Sequence, residues 1–219
     1  EEDATGNGRI YVSSDWGASW TLTEPRGNWV AVASSADGLR LLAAQKGGRI
    51  VVSGDGGSTW SARAHDADWR ALASSADGNR LIAAAAGAPI QVSTDGGVTW
   101  KARGLARNWA AVASSADGTR LVAAEAFGYI YTSTDSGQSW TRRGVTTNWT
   151  ALASSTDGAR IAAVGIGVSI FTSKPTPMAA TTSGEAGSIS GRQGDSIALE
   201  YRGNNVYAVT QHEGALAVQ

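Results

Sequence analysis

Cysteine is absent from this 219-residue chain, which excludes disulfides, thiolate metal sites and cysteine nucleophiles. Only two histidines and one methionine occur, so a histidine-rich metal site is excluded as well. The formal net charge of -1 lacks the basic excess typical of phosphate-binding proteins, and we therefore expect no nucleic-acid partner. No apolar run approaches the roughly 18 residues of a membrane-spanning segment, so we expect no membrane insertion.

The chain begins Glu1-Glu2-Asp3, with neither a basic nor an apolar leader. This start is typical of a mature secreted protein after removal of its signal peptide, so we expect a secreted or periplasmic location. A fragment of a longer protein is the alternative explanation.

Tryptophan is abundant and regularly placed. Nine tryptophans stand against two phenylalanines, and all but Trp16 belong to two series with a period of 40 residues. An Asp-Gly pair and an arginine repeat with the same period. This regularity predicts one supersecondary unit copied in tandem. The two series are Trp20, Trp60, Trp100 and Trp140, and Trp29, Trp69, Trp109 and Trp149.

Each unit contains four short β-prone runs separated by turns. In the unit that begins at Trp29, the runs are residues 29–34, 40–44, 49–53 and 59–63. Asp37-Gly38 suits a tight hairpin turn, because glycine accepts a positive φ at no steric cost. No helical period of apolar residues appears. A four-stranded unit of this length in tandem copies is typical of a β-propeller, so we predict an all-β fold.

The turn between the third and fourth runs has a more specific pattern, Ser-x-Asp-x-Gly-x-Ser/Thr-Trp. One copy spans Ser53 to Trp60, and three others end at Trp20, Trp100 and Trp140. The pattern resembles the Asp-box, the bacterial neuraminidase repeat, over roughly residues 9 to 173. The resemblance implies that each box is the hairpin joining the third and fourth strands of a propeller blade. We expect the box aspartates Asp55, Asp95 and Asp135 to be structural.

We predict that residues 1–219 form a single domain, a five-bladed β-propeller of four-stranded blades. The complete blades are named A (29–65), B (69–105), C (109–145) and D (149–193), with residues 188–193 as the fourth strand of D. The two chain ends complement each other, since residues 9–24 would supply a third and a fourth strand and residues 196–219 a first and a second. A composite blade of both ends would close the ring and remove the open edges. A competing third strand at 215–219, a fragment of a larger ring and a six-bladed ring are the alternatives.

The functional residues are expected where the loops differ from blade to blade. We name the variable edge as the second-to-third loops together with the links between blades; the opposite edge carries the nearly invariant Asp-Gly turns and boxes. At the variable edge a tryptophan follows an Asn or Asp once per blade, and an aromatic ring beside a polar group suits a sugar. The alternative is that these tryptophans fill the gaps between adjacent blades. The predicted ligand-binding residues are Trp29, Trp69, Trp109, Trp149, Asn28, Asp68, Asn108, Asn148, Gln45, Glu125, His212 and Glu213.

The predicted function is a non-catalytic, lectin-like binding propeller with a glycan or glycoconjugate as its ligand and repeated weak sites acting through avidity. By architecture the chain is similar to small repeat lectins, some of them five-bladed. We expect no cofactor and no metal. One alternative is a protein-interaction or assembly propeller that forms a homo-oligomer through the variable edge. The other is a minimal glycosidase-like enzyme, although no spacing selects a carboxylate pair and the adjacent Glu200 and Tyr201 would point to opposite faces of a strand.

Overall fold

The computed structural model describes residues 8–168, 170–173, 189–190, 196–203, 206–213 and 217–218. All regular elements in these ranges are β-strands, so the predicted all-β class is confirmed for the described residues. None of these residues belongs to a helix long and apolar enough to cross a membrane. The chain divides into two compact units, Glu1–Ser173 and Lys174–Gln219.

Among its described residues the first unit has thirteen strands, several of which run from one predicted blade into the next. They are β1 Gly8–Val12, β2 Thr21–Gly27, β3 Trp29–Ser34, β4 Leu41–Ser53, β5 Ser61–Ser74, β6 Leu81–Ser93, β7 Lys101–Ser114, β8 Leu121–Glu125, β9 Gly128–Ser133, β10 Thr141–Thr147, β11 Trp149–Ser154, β12 Ile161–Gly165 and β13 Phe171–Thr172.

Antiparallel pairing follows the chain order. Strands β3 to β10 are hydrogen-bonded in sequence, β1 pairs with β2, and β11, β12 and β13 form a three-stranded sheet. Strands β5 and β7 each combine the fourth strand of one blade with the first strand of the next. In blade C the second and third strands are separate and pair from Leu121↔Ser133 to Ala124↔Ile130. In blades A and B the corresponding residues form β4 and β6, and Gly47 and Gly87 take a positive φ at the matching place.

The Asp-Gly turns of successive blades are joined by backbone hydrogen bonds. The Ala36 amide donates to the Ala76 carbonyl at 2.8 Å, Ala76 donates to Ala116 at 2.7 Å, and Ala116 donates to Thr156 at 2.8 Å. The repeated arginine adds a side-chain contact in the same direction: a Cβ built on Gly78 would lie 2.6 Å from Cδ of Arg40. Glycine in this turn is therefore needed both for its positive φ and for the space that the preceding blade's arginine occupies.

The hydrophobic core consists of clusters between successive blades, and a tryptophan belongs to each. Trp69, which opens blade B, is 0% exposed and belongs to a cluster with Leu42, Ala44 and Ile50 of blade A. Trp109 belongs to a cluster with residues of blade B, Trp149 to one with residues of blade C, and the half-buried Trp29 packs against a cluster that includes Ile10 of β1. The alternative that these tryptophans fill the gaps between blades is therefore the correct one.

The second unit contains two pairs of strands. β15 Ser196–Gly203 and β16 Val206–Glu213 form the antiparallel hairpin expected for residues 196–201 and 206–210, although β16 continues to Glu213. β14 Ile189–Ser190 pairs with β17 Ala217–Val218. Within residues 188–193, which were expected to supply the fourth strand of blade D, the described Ile189 and Ser190 pair with Val218 and Ala217; the assignment of this stretch to blade D stays a prediction. Closure by a composite blade stays a prediction.

Candidate functional site at the variable edge

The serine and aspartate side chains of the four box hairpins make the same internal hydrogen bonds, and the indoles of Trp60 and Trp100 add one more. In the box of blade A, the Ser53 hydroxyl and the Thr59 amide both donate to Oδ1 of Asp55 at 2.8 Å. The Thr59 hydroxyl donates to Oδ2 at 2.6 Å, and the Gly57 amide donates to Oγ of Ser53 at 2.8 Å. The indole Nε1 of Trp60 donates to the Gly57 carbonyl at 3.0 Å, which folds the ring back onto the hairpin. Both carboxylate oxygens are thus used within the turn.

These hydrogen bonds stabilise the ionised carboxylates. The hydroxyl of Thr59, followed by its amide and the Ser53 hydroxyl, lowers the pKa of Asp55 to about 2. Donors from the equivalent residues lower the pKa of Asp15, Asp95 and Asp135 to about 2 as well. A carboxylate that is saturated by donors of its own turn is a poor general acid and has little capacity left for a ligand. The structural role expected for Asp55, Asp95 and Asp135 is confirmed.

The tryptophans that were predicted to form aromatic platforms present almost no surface. Trp69, Trp109 and Trp149 are 0%, 4% and 1% exposed. Nε1 of Trp69 donates to the Gly48 carbonyl at 2.8 Å, and Nε1 of Trp149 donates to the Gly128 carbonyl at 3.0 Å. The platform prediction is wrong for these three rings, because each is buried among residues of the preceding blade and of its own blade. Trp29 is half-buried.

Two of the predicted polar ligands are folded back over the loop that carries them. Nε2 of Gln45 donates to the Arg26 carbonyl at 3.2 Å. A Cβ built on Gly48 would lie 2.7 Å from Oε1 of Gln45, and one built on Gly128 would lie 2.5 Å from Oε2 of Glu125. Glycine three residues later therefore makes room for the long side chain. In blade B the position of Gln45 and Glu125 is taken by the small residue Ala85. The position of the glycine is taken by Ala88, since no long side chain needs that space.

Glu125 is the centre of a half-buried polar group in blade C. Nη1 of Arg107 lies 3.2 Å and 3.4 Å from its two carboxylate oxygens, and the Tyr131 hydroxyl lies 3.5 Å from Oε2. The Arg107 guanidinium also lies over the Tyr131 ring, 4.8 Å from its centroid. Burial is the main cause that raises the pKa of Tyr131, so its hydroxyl stays protonated at neutral pH and can donate to Glu125. Glu125 is committed to these partners.

The remaining predicted residues of the first unit lie in the loops and links that define the variable edge. The Asn28, Asn108 and Asn148 carbonyls accept hydrogen bonds from Lys46, Ala126 and Ile166, which closes the second-to-third loops. Asp68 forms an ion pair with Arg70 at 2.6 Å, while its other oxygen, Oδ1, is buried without a hydrogen-bond partner among the described residues. His212 and Glu213 end β16, in register with Ile197 and Ser196, rather than lying in a loop. Their side chains lie outside the described residues.

Exposed apolar side chains at the variable edge were missed by the sequence argument. Phe127 is 80% exposed and takes a φ of 57°, in the left-handed region. The corresponding residues of blades A, B and D are glycines, so the repeat itself shows that the scaffold does not require a large side chain here. Comparison of the repeats at this one position identifies Phe127 from sequence alone. Leu105, Val145 and Ile166 are further exposed apolar residues of the loops and links at this edge.

The links between blades present such side chains by bulging. Ala88 is paired with Arg107 and Ile90 with Arg103, so three residues, 104–106, stand opposite Pro89 alone. Gly104 and Gly144 take a positive φ at the start of this bulge, as does Ala64 in the link between blades A and B. A bulge re-aims the residues that follow it, and Leu105 and Val145 come next in the chain.

The described residues hold no group of three or more His, Asp or Glu able to bind a metal.

Comparison with known proteins supports the fold. No protein family and no curated protein matches the chain. A structure of YCF48 bound to D1 peptide superposes with a TM-score of 0.54 at 20% identity, covering 80% of this chain and 56% of that protein. The GH74 xyloglucanase from Xanthomonas campestris superposes with a TM-score of 0.54 at 21% identity, covering 68% of this chain and 24% of the enzyme.

The computationally designed Ika4 protein is also similar, with a TM-score of 0.57 at 17% identity over 69% of this chain and 94% of that one. GH74 and YCF48 are propeller-type proteins, so the likeness supports a β-propeller fold. At these identities it shows the fold alone, and these neighbours include both an enzyme and non-enzymatic propellers.

Proposed function

We propose that this protein is a non-catalytic binding propeller that recognises an extended segment of another protein through the variable edge of blade C. The observation that carries the proposal is Phe127, a large exposed side chain in a backbone conformation that the other three blades give to glycine. Backbone strain of this kind is retained where the side chain serves a function. A free, exposed aromatic residue is a typical anchor at a protein interface.

The surroundings of Phe127 fit a peptide better than a sugar. Leu105, Val145 and Ile166 add exposed apolar surface at the same edge. Arg142 is exposed and lies over the Tyr129 ring, 4.5 Å from its centroid. Three of the four rings predicted to stack on sugars, Trp69, Trp109 and Trp149, are buried, and Glu125 is engaged by Arg107 and Tyr131. Exposed apolar anchors and an exposed cation on the same blade suit a peptide with apolar side chains and an acidic residue.

Carbohydrate binding is the second candidate. The ion pairs Arg70–Asp68 and Arg107–Glu125 place hydrogen-bonding groups at the variable edge, at 2.6 Å and 3.2 Å within each pair. One similar structure is named a xyloglucanase. A glycan would have to bind these polar groups without stacking on Trp69, Trp109 or Trp149, since those rings are buried.

The two candidates are separated by parallel selections on the same protein. A random peptide library displayed on phage is selected against the wild type and against F127G, while both proteins are applied to a glycan array. We expect peptides with apolar anchors to be enriched on the wild type and lost on F127G, and the array to be negative. If the wild type and F127G both bind glycans on the array, and no peptides are enriched on the wild type, the proposal is contradicted and the carbohydrate candidate is favoured.

We further propose that the module is a five-bladed ring closed by residues 9–24 and 196–219. The proposal is supported by two hairpins, β1 with β2 and β15 with β16, each of which has only two strands among the described residues. Deletion of residues 195–219 should then lower the melting temperature or cause aggregation, because blade edges become exposed. A monomeric deletion variant with an unchanged melting temperature would exclude closure.

A further inference from the structure

A cavity on the box edge lies between the hairpins of blades B and C, away from the variable edge. It has a volume of about 130 Å³, which is several times the space that one water molecule needs. Three cationic side chains line it, and no carboxylate does. The lining residues are Arg80, Val92, Thr94, Thr99, Lys101, Arg103, Ser136 and Gln138.

Two of the three cationic residues, Arg80 and Arg103, recur at the same position of the preceding repeat, whereas Lys101 does not. Arg80 and Arg103 correspond to Arg40 and Arg63 in the preceding blade, so the scaffold places an arginine pair between blades A and B too. Lys101, in contrast, corresponds to Ser61. Three further polar residues are also particular to the gap between blades B and C. Thr94, Ser136 and Gln138 stand where the preceding gap has Gly54, Gly96 and Val98.

One hydrogen-bond donor of a lining residue has no acceptor within the described part of the chain. Nε of Arg103 is shut off from solvent and has no hydrogen-bond partner among the described residues. In blade C the equivalent Arg143 donates from Nε to the Thr132 hydroxyl at 3.2 Å, but Val92 occupies that position beside Arg103. A buried guanidinium N–H without an acceptor is costly, so the position of Arg103 in the wall of this cavity is not explained by a hydrogen bond from its Nε.

Other lining groups are held in place by their neighbours. Nη1 of Arg80 donates to the Ser136 hydroxyl at 2.9 Å, which fixes the guanidinium across the gap between the blades. Nε2 of Gln138 donates to the Asp135 carbonyl at 3.1 Å, which fixes this amide at the cavity wall. The Thr99 hydroxyl donates to Oδ2 of Asp95 at 2.5 Å, so this ionised carboxylate is bonded within its own turn and is not among the groups that line the cavity.

We infer that this cavity binds a doubly charged tetrahedral oxyanion, the sulfate or phosphate type of group. Arg80, Lys101 and Arg103 supply the charge, and their N–H groups, together with the side chains of Ser136 and Gln138, supply the polar lining. Hydrogen bonds from cationic donors to such oxygens are among the stronger ones in proteins. The cavity walls carry three positive charges and no negative one. A ligand with one carboxylate would balance only one of these charges, whereas sulfate or phosphate balances more. The site is independent of the peptide surface proposed above.

The Nε–H resonances of the arginines give a direct test. Uniformly ¹⁵N-labelled protein is titrated with sodium sulfate at constant ionic strength, and the Arg103 resonance is assigned by its loss in R103K. We expect a saturating shift of this resonance. K101S, which installs the residue of the preceding gap, should weaken sulfate binding at least about tenfold, which is about 1.4 kcal/mol, because it removes one of the three cations that line the cavity. K46S removes the same charge from an exposed loop and should leave the affinity unchanged.

The remaining arms identify the ligand. S136G and Q138V, which also restore residues of the preceding gap, should weaken sulfate with the folded state preserved, as judged by the melting temperature. The affinity for inorganic phosphate is compared with that for methyl phosphate, which distinguishes a free ion from an ester group. It is also compared with the affinity for acetate, which tests whether a doubly charged ligand is preferred over a singly charged one. A linear, non-saturating shift, equal effects of K46S and K101S, or acetate binding as tightly as sulfate would each overturn the assignment.

Discussion

The hydrogen bonds of the buried tryptophans differ between blades, and this difference predicts an unequal response to the same substitution. Trp69 is 0% exposed and donates from Nε1 to Gly48, whereas Trp109 is 4% exposed and its Nε1 has no hydrogen-bond partner among the described residues. The carbonyl equivalent to that of Gly48 belongs to Ala88, which precedes Pro89. Replacement by phenylalanine removes a similar side-chain volume at both sites. The loss of unfolding free energy that is due to packing is therefore similar in W69F and W109F, and it largely cancels when the two variants are compared.

The polar terms do not cancel. W69F leaves the Gly48 carbonyl without its donor, at about 1 to 3 kcal/mol, whereas W109F removes a buried donor that has no acceptor. We therefore expect W69F to lower the free energy of unfolding by about 2 kcal/mol more than W109F does. W149F should resemble W69F, because Trp149 donates to Gly128 at 3.0 Å. Urea unfolding followed by far-ultraviolet circular dichroism measures all three variants. The reasoning is refuted if W109F is as destabilising as W69F.

Three further predictions concern the scaffold. D95A should lower the free energy of unfolding by about 1 to 2 kcal/mol, because the Ser93 and Thr99 donors lose their acceptor, and leave peptide binding unchanged; a binding defect at full stability would contradict the structural role. Donors hold the pKa of box aspartates at about 2 in the folded chain, below their usual value near 3.9, so the melting temperature should be flat above about pH 5 and fall between about pH 4 and 2; an unchanged melting temperature at pH 2 would contradict this. G128A should be destabilising because Glu125 occupies the space of the new Cβ, and E125A should recover about 1 kcal/mol of that loss in the double variant; additive effects in the double-mutant cycle would exclude the contact.

The sequence predicted the parts of the fold that are set by local chemistry. The serine, aspartate and glycine of each box determine the hairpin through contacts within seven residues, so the pattern from Ser53 to Trp60 was sufficient. The 40-residue register likewise predicted where strands begin, because the same turn chemistry recurs in each unit. Blade D shows the limit of this reasoning, since its box is absent and the described residues 189–190 pair with Ala217–Val218.

The candidate site depended on contacts that lie far apart in the chain. Exposure of Trp69 is decided by docking of blade A, which periodicity alone does not determine. Glu125 was expected to face a ligand, but the space left by Gly128 allows it to fold back toward Arg107 and Tyr131. The cavity between blades B and C requires side chains from two hairpins. Phe127 was accessible from sequence, because glycine stands at the same place in the other blades.

The most direct test of the account measures stability and binding together in F127G. This substitution restores the residue of the other blades, so relief of the positive φ should raise the free energy of unfolding by about 0.5 to 1 kcal/mol. A64G makes the same backbone change in the link between blades A and B and serves as the control. Against a peptide selected on the wild type, we predict that F127G binds at least about thirtyfold more weakly while A64G binds normally. A variant F127G that is more stable and still binds with wild-type affinity would contradict the assignment of the binding site to blade C.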